Sequence, residues 1–270
     1  MGIFDKLFGG NKKSSQSTNQ SFNTSPTKSF SGNGLSSLNL SKEESLTQLN
    51  LRKDMISSLC LEKKELNSLT ARVAVVMDYS GSMENLYRNG TVQSLLDRLL
   101  PVAMQFDDNG EMEVWLFDNT YRRIKDISLE NYYDYINNER LLRKYDMGGT
   151  QYAPVINDVV KKYTKEMPSD LPTLVLFITD GDNFDSDKPY ATKAIREASK
   201  YPIFWQFVGI GSSYFDYLEQ LDEMEGRYVD NANFFSINDL NSISDEELYQ
   251  RLLGEYPSWI SIAKSKGMIK

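Results

Sequence analysis

The chain has 270 residues, no histidine and one cysteine (Cys60), with 38 acidic against 30 basic residues and a net charge of −8. Without histidine no Ser-His-Asp or Cys-His triad can form, and a single cysteine supplies neither a zinc site nor an intrachain disulfide, which points to a reducing compartment. The acidic balance disfavours a nucleic-acid backbone as partner. No apolar run reaches the ~20 residues of a membrane span, and the start lacks a secretory pattern, so a soluble, cytoplasmic protein is expected.

Residues 1–10, MGIFDKLFGG, place Ile3, Phe4, Leu7 and Phe8 on one helical face, enough for a weak peripheral contact with a membrane or partner. They fall short of an N-myristoylation signal, because Lys6 stands where Ser or Thr is required. Residues 11–40 are rich in Ser, Asn, Thr, Gln and Gly. They cannot bury enough apolar surface to offset ordering entropy, so residues 1–40 read as a flexible tail and linker. In residues 41–70, Leu46, Leu49, Leu51, Met55, Leu59 and Leu61 alternate with Lys, Arg and Glu, which predicts one or two helical segments leading into the globular body.

From residue 71 the pattern becomes strand, helix, strand. A strand is expected over 72–77 and a helix over 91–106, its apolar side carrying Leu95, Leu96, Leu99 and Leu100 and its course kinked or broken at Pro101. Strands follow over 111–117 and 121–127. Only Asp118-Asn119-Thr120 separates them, so they must pair antiparallel. Val155, Ile156, Val159, Val160 and Tyr163 mark the next helix, and Leu174 to Ile178 is apolar without alternation, as in a strand covered on both faces. Helix is expected over 188–200, strand over 203–210, helix over 214–224, strand over 233–237, and helix over 244–266 broken near Gly254 and Pro257. This alternation predicts an α/β fold: a doubly wound, mostly parallel sheet with one antiparallel hairpin strand and helices on both faces. The globular domain is placed at 71–240, with a C-terminal helical extension over 241–270.

The most informative motif is Asp78-Tyr79-Ser80-Gly81-Ser82, which follows the apolar run Val73 to Met77. One carboxylate and two hydroxyls at alternate positions put three oxygens in one loop, a donor set for a hard divalent cation. Gly148-Gly149-Thr150 and Thr179-Asp180-Gly181 can complete it, because ligands of doubly wound sheets bind beyond the carboxyl ends of the strands where strand order reverses.

The set Asp78-x-Ser80-x-Ser82, Thr150 and Asp180 resembles the metal-ion-dependent adhesion site of von Willebrand factor A (vWA) domains. The wording DYSGSM, GGT and LFITDGD, the Leu38–Lys42 lead-in and the tail Tyr256-Pro257-Ser258-Trp259 are most similar to the tellurium-resistance (Ter-type) branch. The resemblance implies a vWA fold and neutral oxygens from Ser80, Ser82 and Thr150, with charge from Asp78 and Asp180. It also implies a bound Mg2+ (or Mn2+ or Ca2+) and a partner protein whose acidic residue ligates that metal. The role implied is non-enzymatic, in the bacterial response to toxic oxyanions such as tellurite or to related stress. The alternative is a Mg2+-dependent phosphotransferase resembling haloacid dehalogenases, with Asp78 as nucleophile and Asp180 or Asp182 holding the ion. Its weak point is Ser80, where that family has a second Asp.

The row Asp182, Asp185, Asp187 fails the EF-hand template and reads as a solvated acidic loop, with Asp182 able to orient the site from behind its ligands. Gly209-x-Gly211 lacks the third glycine of a dinucleotide fingerprint and reads as a tight turn. Tyr79 and Met83 are open between partner contact and core packing.

Overall fold

The computed structural model describes residues 40–270; the expected amphipathic start and almost all of the linker lie outside the described residues. The first element is one long helix, α1 (Lys42–Glu62). Its start is a capping box: the Ser41 hydroxyl accepts from Glu44 N at 3.2 Å and the Glu44 carboxylate accepts from Ser41 N at 2.8 Å, satisfying two backbone donors that a helix start leaves open. Leu49, Ile56 and Cys60 turn inward, and burial pushes the Cys60 thiol up to about 11, leaving it a small apolar core residue.

The elements after α1 are β1 (Arg72–Asp78), a short 3-10 turn (Gly81–Met83), α2 (Glu84–Arg88), α3 (Thr91–Phe106), β2 (Met112–Phe117), β3 (Tyr121–Ile127), α4 (Tyr135–Asn138), α5 (Leu141–Lys144) and α6 (Ala153–Lys161). A π turn (Lys162–Glu166) extends α6, and β4 (Thr173–Thr179), α7 (Lys188–Ala198), β5 (Ile203–Ile210), α8 (Asp216–Asp222), β6 (Ala232–Ile237), α9 (Asp245–Leu252) and α10 (Tyr256–Ser265) follow. The sheet order is β3-β2-β1-β4-β5-β6. All pairings are parallel except β2 with β3, so the expected sheet and its antiparallel hairpin are present.

Alternation along β1 divides the core. Val73, Val75 and Met77 pack with residues of α1, α3, α9 and α10, while Ala74 and Val76 pack with residues of α6, α7 and α8. Every residue of β4 and β5 is buried, the condition that removes alternation from a strand sequence. Closure of the last segment rests on Arg98. Its guanidinium, 7% exposed, lies 2.6 Å from Asp245 and donates to the Leu240 and Ile243 carbonyls at 2.9 Å each. The expected interruption near Gly254 and Pro257 separates α9 from α10, with Pro257 at the start of α10, where a missing N–H costs nothing.

One expectation is corrected. Pro101 does not break α3, which runs as a single helix through it. Val92, Leu95, Leu96, Leu99, Leu100, Val102, Ala103 and Phe106 of that helix are all buried. Burial of this many apolar side chains at ~1.5–3 kcal/mol each outweighs the ~3 kcal/mol penalty of an internal proline.

Candidate functional site

From β1 the chain runs outward to β2 and β3 and then returns to β4 on the other side of β1. Strand order therefore reverses between β1 and β4, and the loops after these two strands open into the crevice there. Met77 is in register with Ile178, which sets Asp78 beside Thr179. The Asp78 carboxylate accepts from Ser80 N at 2.8 Å and from the Thr179 hydroxyl at 2.6 Å. The Ser80 and Ser82 hydroxyls are 3.0 Å apart, and Ser82 Oγ donates to Asp180 Oδ1 at 2.9 Å. Four of the five candidate residues thus form one hydrogen-bonded chain.

Thr150 arrives through its backbone. Ser80 forms a bridge with Gly148, and Gly81 N donates to the Gly148 carbonyl at 2.9 Å, so the loop carrying Thr150 lies against the Asp78–Ser82 turn. The Thr150 carbonyl accepts from Phe184 N at 3.0 Å, which fastens the same loop to the segment after Asp180. No hydrogen bond joins the Thr150 hydroxyl to the other four residues.

The electrostatics are one-sided. Asp78 is fully buried, and burial pushes its carboxyl up to about 7; hydrogen bonds from Thr179 and Ser80 oppose the shift and the nearby Asp180 charge adds to it. Asp180 is also raised, again chiefly by burial, with the Ser82 hydrogen bond opposing. No Lys or Arg is among the groups that shift either carboxyl. Two phenols close the back of the crevice. Tyr87 Oη donates to the Asp78 carbonyl at 3.0 Å, and Tyr152 Oη donates to Thr179 Oγ1 at 3.2 Å and to the Gly181 carbonyl.

A site of hydroxyl and carboxylate oxygens, with negative charge and no internal cation, has the donor chemistry of a Mg2+, Mn2+ or Ca2+ centre. Among the described residues no group of three or more His, Cys, Asp or Glu side chains is placed to hold a metal ion. A cation bound here would therefore depend on the hydroxyls as well as the two aspartates.

Sequence reasoning named Thr179 only as part of its Thr179-Asp180-Gly181 fragment and gave it no role, though it holds one oxygen of Asp78, and missed Tyr152, which holds Thr179. The parallel β1–β4 register was the signal for Thr179, since the residue before Asp180 must lie beside the end of β1. The acidic row is a correction. Asp187 is buried, and its Oδ2 accepts from Tyr152 N at 2.6 Å and Ala153 N at 3.2 Å, capping α6. Asp182 accepts from Tyr217 N at the start of α8 at 3.2 Å and lies 3.4 Å from the Lys188 ammonium. Only Asp185 projects into solvent. Helix starts present open N–H groups that attract carboxylates, so two of the three acids serve helix ends rather than a solvated loop. Tyr79 and Met83 are both core residues at 0% exposure; the Tyr79 hydroxyl donates to the Leu141 carbonyl at 2.7 Å. Of the Gly209-x-Gly211 pair, expected to make a tight turn, only Gly211 turns the chain, at φ +96°; Gly209 lies within β5, where an added Cβ would meet the Phe215 ring at 2.7 Å.

A doubly wound sheet with a Ser, Thr and Asp rim at its switch point is the architecture of a vWA-type domain. The family model for the vWA found in the TerF C terminus (vWA-TerF-like) matches residues 70–269, and the chain belongs to that family. Domains of this class are typically non-enzymatic interaction modules. The chain is similar to the uncharacterized protein YcbR of Bacillus subtilis (strain 168), with 44% identity over 227 residues, 83% of this chain and 91% of YcbR. Among solved structures it is similar to the ArnB paralog VWA2 from Sulfolobus acidocaldarius, at 16% identity and a TM-score of 0.42, over 71% of this chain and 44% of that one. It is also similar to proximal thread matrix protein 1 from the mussel byssus, solved with a zinc-occupied MIDAS motif, at 16% identity and a TM-score of 0.42, over 72% of this chain and 46% of that one. The chain thus spans less than half the length of either solved protein.

Proposed function

We propose that the protein is a non-enzymatic, metal-dependent protein-binding module. Asp78, Ser80, Ser82, Thr150 and Asp180 would hold one divalent cation, Mg2+ or else Mn2+ or Ca2+. The observation that carries this reading is the fully buried Asp78 carboxylate, hydrogen-bonded into the Ser80–Ser82–Asp180 chain, with no basic side chain among the groups that shift it. A buried carboxylate without a counter-charge is costly, and a divalent cation held by these residues would supply that counter-charge. When bound, the ion supplies a coordination position for one more anionic oxygen, and because three of the five protein donors are neutral it retains affinity for a carboxylate presented by a partner protein. The chain's own residues orient the site: Thr179 and Ser80 N hold both Asp78 oxygens in place, and Ser82 holds Asp180.

The phosphotransferase alternative has less support. A nucleophilic carboxylate must reach its substrate, whereas Asp78 is 0% exposed with both oxygens already engaged. We propose further that the module serves in bacterial defence against toxic oxyanions such as tellurite, inside a multiprotein assembly; membership of the vWA-TerF-like family supports this reading. Among the described residues no helix is long and apolar enough to cross a membrane.

Calorimetric titration with Mn2+ and Mg2+ tests the metal. Wild type should bind one ion and Asp78→Ala should lose at least ~100-fold in affinity; equal affinity in both proteins removes the reading. A pull-down of the full chain in Mg2+ against chelator, read by mass spectrometry, tests the partner, and partners retained in chelator would place the contact elsewhere. Phosphate-monoester turnover that is lost in Asp78→Asn would establish the alternative instead.

A further inference from the structure

Thr150 differs from the other four candidate residues: its hydroxyl is in no hydrogen bond with them, and its position is inherited from the loop around it. That loop is held at Gly149 by two groups. Gly149 N donates to Asn119 Oδ1 at 3.1 Å, from the turn between β2 and β3. The same turn accepts Gln151 N on the Asp118 carbonyl at 3.0 Å. The tip of the Phe184 ring also reaches Gly149. A Cβ built on Gly149 would meet Phe184 Cζ at 2.4 Å and Asn119 Oδ1 at 2.5 Å. Phe184 is itself pinned by its backbone, which donates to the Thr150 carbonyl.

A side chain at residue 149 would displace both clamping groups, which occupy the space of its Cβ, although the φ there is ordinary. Phe184 is 48% exposed, and the tip of its ring meets Gly149. Asp182 and Asp187 on either side of it cap α8 and α6.

We propose that Asn119 and Phe184 are positioning residues of the metal site: together they close over Gly149 where a side chain would stand and so set where the Thr150 hydroxyl stands relative to Ser80, Ser82 and the two aspartates. This rests on the metal-binding reading above and adds to it two side chains, separated by 65 positions in sequence, that touch no ion. Groups that orient ligands contribute about 10–100-fold in metal affinity when removed. The clamp is a surface feature, so its removal leaves the core packing intact.

The test is Mn2+ titration calorimetry with thermal melting of the metal-free protein. The proteins are the full-length wild type, Thr150→Ala, Asn119→Ala, Phe184→Ala, Phe184→Tyr and Gly149→Ala. In Gly149→Ala the obstructing atoms are the far ends of two side chains, so the protein folds with the clamp pushed open and all five candidate ligands unchanged. Wild type should bind Mn2+. Asn119→Ala, Phe184→Ala and Gly149→Ala should each bind about tenfold more weakly, with metal-free melting temperatures within ~2 °C of wild type. Phe184→Tyr, which keeps the ring, should retain wild-type affinity. In Thr150→Ala, which lacks the positioned hydroxyl, a further Phe184→Ala change should cost nothing more. Wild-type affinity in all three clamp variants, or losses that only follow a lowered metal-free melting temperature, overturns the clamp and leaves the metal site standing. Failure of wild type itself to bind Mn2+ overturns the metal site, and the clamp with it.

Discussion

Two buried aspartates, Asp78 and Asp158, show what distinguishes a site from a scaffold in this molecule. Both are nearly inaccessible, at 0% and 5% exposure. Asp158 carries its counter-charge inside the fold: Arg123 donates to both its oxygens at 2.7 and 2.9 Å, and Trp115 Nε1 donates at 2.9 Å. Burial acts to raise its pKa, but these bonds outweigh burial and hold it below the usual carboxylate range. Asp78 receives only neutral donors and stands beside a second acid, so burial prevails and its carboxyl rises to about 7. The fold neutralises one acid with its own arginine and surrounds the other with neutral donors and a second acid.

The largest test of this contrast is a pair of charge deletions that should act in opposite senses. Asp158→Asn should destabilise the metal-free protein by about 2 kcal/mol at pH 8, less than the 3–5 of a fully buried pair because Arg123 is one-third exposed. Asp78→Asn should leave stability at pH 8 at or above wild type, since the uncharged amide removes the burden and the Thr179 hydroxyl can rotate to suit it. Urea midpoints measure both, and a loss in Asp78→Asn equal to that in Asp158→Asn would erase the distinction.

An added ion should reverse the second sign. At a concentration of 100 times its dissociation constant, Mn2+ should stabilise wild type by about 2.7 kcal/mol. It should do nothing for Asp78→Asn and should stabilise Asp158→Asn as fully as wild type. Melting with and without chelator reads this directly.

The pH dependence sharpens the contrast further. The Asp78 carboxyl has an ordinary value of 3.8 and a folded value of about 7, so between those limits the folded metal-free protein holds a proton that the unfolded chain releases. Its stability should therefore fall as pH rises through that window, by at most about 1.4 kcal/mol per unit. Asp158 has the opposite shift, and its contribution is complete above the ordinary carboxylate range and lost only on acidification. Metal affinity should climb toward pH 7 as Asp78 gives up its proton. Denaturation at pH 5 and pH 8 checks this, and the Asp78 slope should vanish in Asp78→Asn.

The smallest effect comes from a neutral support. Thr179→Val keeps the shape of the strand and removes a hydrogen bond that lowers the Asp78 pKa. The Asp78 carboxyl should rise further and Mn2+ affinity at pH 7 should fall by roughly tenfold, the equivalent of about 1.5 kcal/mol for one bond to a charged group. Calorimetry at pH 7 and pH 8.5 should show the deficit shrinking at the higher pH.

Much of the fold was legible in the chain, because strand and helix leave local marks. The unalternating Leu174 to Ile178 announced a strand covered on both faces, and three residues between 117 and 121 left only an antiparallel pairing. Pro101 misled, because the penalty of an internal proline is local while the packing that outweighs it comes from the surrounding core. The acids of the 182–187 segment misled for a related reason: whether a carboxylate is solvated or caps a helix depends on which helix start the fold delivers to it, and α6 begins some thirty residues earlier in the chain. The oxygen-rich turn after β1 was visible as a motif. The supports of that turn were not, since Thr179 meets Asp78 across 101 positions and Phe184 meets Gly149 across a loop contact without periodicity.

The sequence by itself determined the elements, their alternation and the chemical character of the rim, because side-chain pattern and the chain's lack of histidine act locally or by composition. The tertiary structure alone decided which charges found partners. Strand order put β4 against β1 and brought Thr179, Ser82 and Asp180 into one chain with Asp78, while the hairpin put Arg123 on Asp158. Electrostatic compensation in a low-dielectric interior depends on distances of a few ångströms, and only the folded chain sets distances that short between residues so far apart in sequence.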